Sequence, residues 1–376
     1  MSDYLHESLE PGSNGAVAKK LTVKLWGKGV VPKKDIYKGS KKTKYYLRSA
    51  NQIIYGKLDF LHAAFGIIPK ALEGWESTID SPAFDVDTTK GNVQFLLFLF
   101  LRPRFYLREG LRANGSRKAK RIHEDVFLNI KISIPQLSEQ NRIAENINAV
   151  NGLIAATQQK ISDLEDIKVN TLRSLFNQTW RIRHYSDDWK NTKLSDISTK
   201  VVEKNVNYQY KEVLTNSAEF GIVNQQDFFD KSIANPKSLS GYYVIHPNDF
   251  VYNPRISKLA PVGPVRRNKT GRIGVMSPLY YVFKIDGVDP TFLEYFFKNN
   301  GWHRFMYANG DTGARADRFA IKDKVFEQMP IRLPSKDEQE ALGTLLKALE
   351  RLIAEFLERL DNLKKLKKYL LSSMFA

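Results

Sequence analysis

Cysteine is absent from this chain of 376 residues. Disulfides, thiolate nucleophiles and cysteine-ligated zinc are thereby excluded, and the composition suits a reducing compartment, with the cytoplasm the expected location. Long apolar runs are missing too. The longest, Phe95 to Leu101, has seven residues and stops at Arg102-Pro103, against the roughly 20 that a spanning helix needs. Met1 to Glu10 has neither a basic stretch nor an apolar one, so it does not read as a secretory signal. The six histidines, His6, His62, His123, His184, His246 and His303, lie at unrelated spacings with no helical pair, and metal ligation is not expected of them. Acid is in deficit: 41 Asp+Glu stand against 58 Lys+Arg, a net charge of +17. A basic chain of this size expects a polyanionic partner.

Catalytic signatures are also lacking. Asn253-Pro254-Arg255-Ile256 has only the first half of the tetrad that holds a flipped base in amino-methyltransferases, and no strand with a Gly-x-Gly loop precedes it. Gly27-Lys28 and Gly56-Lys57 lack the upstream glycine and the hydroxyl residue of a phosphate-binding loop. Asp85 and Asp87 have no strand lysine beside them and read as loop acids. The expectation is a binding protein with no catalytic residue, metal or cofactor of its own.

What the chain does have is a repeat of itself. Ile134-Pro135, Glu139-Gln140, Ile143, Leu153-Ile154, Leu164, Lys168, Leu172 and Phe176 return as Leu333-Pro334, Glu338-Gln339, Leu342, Leu352-Ile353, Leu363, Lys367, Leu371 and Phe375, each 199 positions on. Upstream the echoes continue with small drifts in offset: Ile54-Tyr55 with Val251-Tyr252, and Ser81-Pro82-x-Phe84 with Ser277-Pro278-x-Tyr280. A duplicated unit predicts internal two-fold pseudosymmetry and suits a target that itself presents two sites.

Each copy has two parts. Residues 1–135 and 186–334 mix short β-type runs (Gln52–Tyr55, Asp249–Tyr252, Tyr280–Lys284) with helices at Asn92–Leu101 and Pro290–Asn299, predicting two compact α/β or α+β domains. Residues 136–178 and 335–376 carry a heptad instead. Its seam runs Ile143, Ile147, Val150, Ile154, Thr157, Ile161, Leu164, Lys168, Thr171, Leu175, and again Leu342, Leu346, Leu349, Ile353, Phe356, Leu360, Leu363, Lys367, Leu370, Met374. Alternating steps of four and three demand a partner helix, and the other copy supplies it as an antiparallel coiled coil. Ser335 with Glu338 predicts a capping box. Lys168 and Lys367 in the seam predict a device that fixes register and orientation, with a partner acid or a phosphate as the alternative.

Basic and aromatic residues cluster in loops of these α/β parts. The candidates for DNA contact in the first copy are Trp26, Lys28, Lys33, Lys34, Lys41, Lys42, Arg117, Lys118, Lys120 and Arg121. In the second copy they are Arg255, Lys258, Arg266, Arg267, Asn268, Lys269, Arg315 and Arg318. Lysines suit phosphates, while Arg and Asn can pair bidentately with base edges. A shared frame with different loops is the pattern expected of two domains reading two different half-sites.

The paired Pro-x-x-x-Glu-Gln followed by Leu-Ile, Lys and a terminal Phe resembles the conserved regions of the specificity subunit of type I restriction-modification systems. The resemblance spans nearly the whole chain. It implies a non-catalytic DNA-binding subunit that recognises a bipartite sequence in double-stranded DNA and recruits two methylation subunits and restriction subunits. S-adenosylmethionine, ATP and Mg would then reside on those partners. The leader Asp188-Trp189-Lys190-Asn191-Thr192-Lys193-Leu194-Ser195-Asp196-Ile197 stands ahead of the second domain only, a departure expected of truncation or of recombination between the halves. The competing readings are a self-sufficient DNA methyltransferase or nuclease, and a coiled-coil scaffold that joins proteins without touching DNA.

Overall fold

One four-stranded antiparallel sheet is built twice. In the first copy the order is Leu5–Glu7, Ala83–Val86, Ile53–Tyr55, Phe65–Ile67; in the second it is Ser198–Lys200, Tyr281–Ile285, Phe250–Tyr252, Val265–Arg267. The computed structural model describes residues 1–34, 40–113, 120–229, 236–313 and 316–374. They form two compact units, Met1–Gln159 with Leu357–Ala376 and Lys160–Phe356. The strand ladders are antiparallel, the α+β form of the expected class. The inner strands Ile53–Tyr55 and Phe250–Tyr252 are buried throughout, as β-branched and aromatic residues on a covered sheet should be. Tyr55 packs on Phe127 and Tyr252 on Phe326, with ring centroids 4.6 and 4.9 Å apart.

Strand register corrects one sequence match. Ile53 faces Phe84, and Phe250 faces Phe283. Phe84 therefore corresponds to Phe283, not to Tyr280, and the Ser-Pro-x-aromatic step of the second copy sits three residues earlier in its domain than that of the first. A short motif followed by an insertion kept its look and lost its place.

The sheet of each copy is backed by a helix, Val93–Phe100 or Pro290–Lys298. The N-caps are Asn92 and Asp289, whose side chains accept from Phe95 N at 2.9 Å and Phe292 N at 2.7 Å, which satisfies one of the donors a helix start leaves unpaired. The caps' own N–H groups donate to Gln140 Oε1 and Gln339 Oε1, both at 2.9 Å. Each glutamine amide then returns to a proline carbonyl, Gln140 to Pro135 at 2.9 Å and Gln339 to Pro334 at 3.0 Å. The glutamine of the repeated Glu-Gln pair is thus a buried polar joint between domain and long helix. Glu338 N accepts nothing but donates to Ser335 Oγ at 3.3 Å, forming one half of the expected capping box. The other half is replaced, because the Glu338 carboxylate turns to Arg181.

The heptads form helices at Leu137–Phe176 and Lys336–Ser373. They run antiparallel in both units. In the first, Ile143 and Ile147 share a core with Leu370, Leu371 and Met374; in the second, Leu172 and Leu175 share one with Leu342, Leu346 and Leu349. All twenty seam positions are buried or half-buried. Lys168 Nζ meets Glu350 on the opposing helix at 3.0 Å, and Glu350 also takes Lys298 at 2.9 Å and the Tyr295 hydroxyl at 3.0 Å. Of the two readings of this lysine, a partner acid is what the structure supplies, and the pair belongs to one register. Lys367 is the equivalent in the other copy, but the position matching Glu350 is Asn151. Burial pushes the Lys367 ammonium below its ordinary value, and it has no ion pair among the described residues.

Candidate nucleic-acid interface

The first unit raises Trp26 on the tip of the hairpin Leu21–Val23/Val30–Pro32. Its backbone is left-handed, with φ 60° and ψ 37°, a conformation that costs a bulky residue on the order of 1 kcal/mol. Gly27 fixes the tip: its N–H donates to Ala63 O at 2.9 Å, and a Cβ there would meet the Leu101 side chain at 2.6 Å. The indole leans edge-on against His62 and Tyr106 yet stays 55% exposed. Lys28, Lys33, Lys34, Lys41, Lys42 and Lys120 are exposed, and none of their ammonium groups is paired among the described residues. They fit phosphate contacts. Arg121 meets Asp80 at 3.2 Å. Arg117 and Lys118 lie outside the described residues, as does Arg315.

The second unit divides its basic residues by what holds them. Arg266 donates to Ala218 O at 2.6 Å, and burial depresses its guanidinium below the ordinary value. Arg267 is spread over Asn248 Oδ1 at 2.6 and 2.9 Å and Thr291 Oγ1 at 3.2 Å. Lys269 meets the buried Glu294 at 2.9 Å. Asn268 is 0% exposed; its amide donates to His246 O and Arg272 O, and its oxygen accepts from Thr270 N and Oγ1. Of the sequence candidates, Arg266, Arg267 and Asn268 thus have polar groups engaged inside the domain, bracing a turn. Lys269 is similarly neutralised, although its stem remains exposed.

Arg255 and Arg318 are different. Their backbones form an antiparallel bridge, and both side chains are exposed with no partner among the described residues. They share the wall of a cavity of about 280 Å³ with Gln225, Tyr242, Asn253 and Tyr280. Asn253 anchors that wall by donating to Asn216 O at 2.9 Å and accepting from Arg255 N at 3.0 Å. The Tyr280 hydroxyl lies 3.3 Å from Thr215 Oγ1. Two free guanidinium forks, a carboxamide and two phenols in one concavity offer the donors and acceptors that base edges require. Lys258, on the next turn, is exposed and suited to a phosphate. Gln225, Tyr242 and Tyr280 were not among the sequence candidates. Only the Ser-Pro-x-Tyr step marked Tyr280, and it does not say that the three residues converge on two arginines more than ten residues away.

No helix among the described residues is long and apolar enough to cross a membrane. Nor do the described residues bring three or more His, Asp or Glu side chains together as a metal site.

Comparison with known proteins converges on one family. Residues 84–166 match the family model described as type I restriction modification DNA specificity domain. The chain is 22% identical over 308 residues to the type I restriction enzyme MjaVIII specificity subunit of Methanocaldococcus jannaschii, covering 76% of this chain and 71% of that one. Its fold is similar to the HsdS subunit from Thermoanaerobacter tengcongensis, with TM-score 0.54, 16% identity, and coverage of 100% of this chain and 95% of the other. It is also similar to a type I restriction-modification S subunit from M. genitalium, with TM-score 0.52, 11% identity, and coverage of 100% and 94%.

Proposed function

The chain is a relative of the specificity subunits of type I restriction-modification systems, and from that premise we propose that it is the DNA-reading subunit of such a system. Each recognition domain reads one half of a bipartite target in double-stranded DNA, and the long helices set the gap between the halves. The observation that carries this reading is the repeated frame with unlike exposed loops. The same sheet and the same capped helix occur in both units, while one offers a strained Trp26 among free lysines and the other offers Arg255 and Arg318 in a concave wall.

The chemistry is carried by partners in this proposal: two methylation subunits with S-adenosylmethionine, and restriction subunits with ATP and Mg, assembling in the cytoplasm. The helices offer a place for a paired partner. Leu153 and Ile167 in one, and Leu352 and Leu366 in the other, are exposed leucines or isoleucines at equivalent heptad positions. In the antiparallel register Leu153 falls opposite Leu366, and Ile167 opposite Leu352, giving each unit one apolar patch of the same make.

The test is selection of bound duplexes from a random pool by the chain assembled with its methylation subunit. Two short half-sites at a fixed separation are expected, with affinity falling steeply as salt rises. Recovery of sequences without a shared bipartite pattern would leave the scaffold reading in possession.

A further inference from the structure

Hydrogen bonds align part of the first unit with the wall that carries Arg255 and Arg318 in the second. Ile122 N donates to Lys57 O at 3.2 Å, as Phe319 N does to Pro254 O at 2.8 Å. Arg121 thus stands where the second unit has Arg318, and Leu58 where it has Arg255. The register that matches Phe84 to Phe283 also matches the turn at 78–81 to the turn at 277–280. Each is closed by one bond, Ser81 N to Thr78 O at 2.9 Å and Tyr280 N to Ser277 O at 3.0 Å. Asp80 therefore takes the place of Leu279.

The three segments of the first unit are tied into one patch. Lys57 N donates to Asp80 O at 3.0 Å, and Arg121 Nε donates to Asp80 Oδ1 at 3.2 Å. Leu58 is 48% exposed, and Ile79, beside Asp80 in the turn, is 54% exposed. A lone exposed aliphatic is ordinary on a surface. Two of them on adjoining segments, around an arginine already met by an acid, differ in chemistry from the second unit's wall. There Arg255 and Arg318 stand side by side with no acid against either among the described residues.

On the reading of this chain as a DNA-binding specificity subunit, we propose that Leu58, Ile79, Asp80 and Arg121 form the base-reading surface of the first unit and that it takes a thymine by its 5-methyl group. In the major groove the thymine methyl is the apolar group that a base edge offers, and aliphatic side chains meet it by contact. Free guanidinium groups favour instead the O6 and N7 of guanine. Leu58 in the place of Arg255, and Asp80 against Arg121, remove that preference from the first unit. Asp80 also cancels the charge that would make Arg121 a plain phosphate contact. The two half-sites then differ in kind, one read by methyl contact and the other by guanidinium forks.

The test uses the chain assembled with its methylation subunit and the duplex recovered by selection. Replacing a thymine by deoxyuridine removes the methyl group alone. In one half-site such a replacement should weaken binding about fourfold, the effect of losing roughly 0.8 kcal/mol, and a variant carrying Leu58→Ala and Ile79→Ala should be indifferent to it. Replacements in the other half-site should act alike on variant and parent. Both side chains are exposed and lie in turns, so the variant folds. A deoxyuridine effect that persists in the variant, or half-sites in which no thymine gives one, would overturn the proposal and leave a bipartite reader of DNA standing. Unchanged selection with weakened capture of the methylation subunit would overturn it as well, and assign the aliphatics to a protein contact. Selection that recovers no bipartite pattern would remove the DNA reading itself, and this surface with it.

Discussion

Arg255 and Arg318 are separated from Arg266 and Arg267 by what their guanidinium groups already hold. The second pair is tied to Ala218, Asn248 and Thr291; the first is free among the described residues. All four were legible as a basic cluster. Which were spent was not legible, because the acceptors lie 19 to 48 positions away in the chain. Arg255→Ala or Arg318→Ala should relax sequence preference within the second half-site and leave the first unchanged, losing about 1–3 kcal/mol of discrimination per base read. Lys41→Ala should instead weaken binding to all sequences alike and lower the salt dependence by about one ion. Selection with each variant distinguishes these outcomes, and equal relaxation of both half-sites by Arg255→Ala would return that residue to the phosphate contacts. Gln339 makes the complementary case for stability. Gln339→Leu leaves the Asp289 N–H and the Pro334 carbonyl without partners in a buried joint, so urea unfolding should show a loss of about 2–4 kcal/mol.

The long helices were the most legible elements, since a 4-3 heptad specifies both the helix and the need for a partner. The identity of the acid facing Lys168 was hidden, because Glu350 lies in the other copy and its contacts depend on register. Burial alone would raise the Glu350 carboxyl; hydrogen bonds and charge from Lys298 and then Lys168 outweigh it and bring it down to about 2. A carboxyl depressed in the folded state contributes stability that is fully present above its unfolded value, about 4.3, and is lost as pH falls through the folded one. Melting temperature should therefore drop between about pH 4.5 and 2, and Glu350→Gln should flatten that drop while lowering stability at neutral pH. The other copy offers the converse experiment. Asn151 stands where an acid would meet Lys367, so Asn151→Glu should raise stability by about 0.5–1 kcal/mol at neutral pH. The gain should fade in high salt, and a Lys367→Met background should abolish it. A gain that survives in that background would mean that the two positions do not face each other.

At the scale of the whole molecule, the repeat carries the argument. It was legible from the offset of 199 that joins the repeated helix starts, and the structure adds that sheet order, N-caps and glutamine joints recur with it. The loops between were not legible, because insertions move short motifs off register, as the Ser-Pro step shows. Antiparallel pairing of the long helices within each unit is what the proposed ruler would need. The ruler is open to a direct change. One heptad added to each long helix at equivalent seam positions keeps the seam in register and lengthens the pair by about 10 Å, close to three base pairs at about 3.4 Å each. Sequences selected by the lengthened protein should keep both half-sites and widen the gap by about three positions. A heptad added to one helix alone puts the seam out of step and should cost stability without a clean shift in spacing. If the doubly lengthened protein binds well and selects the original gap, the helices hold the domains without measuring between them, and the spacing must be set by the loops that meet the DNA.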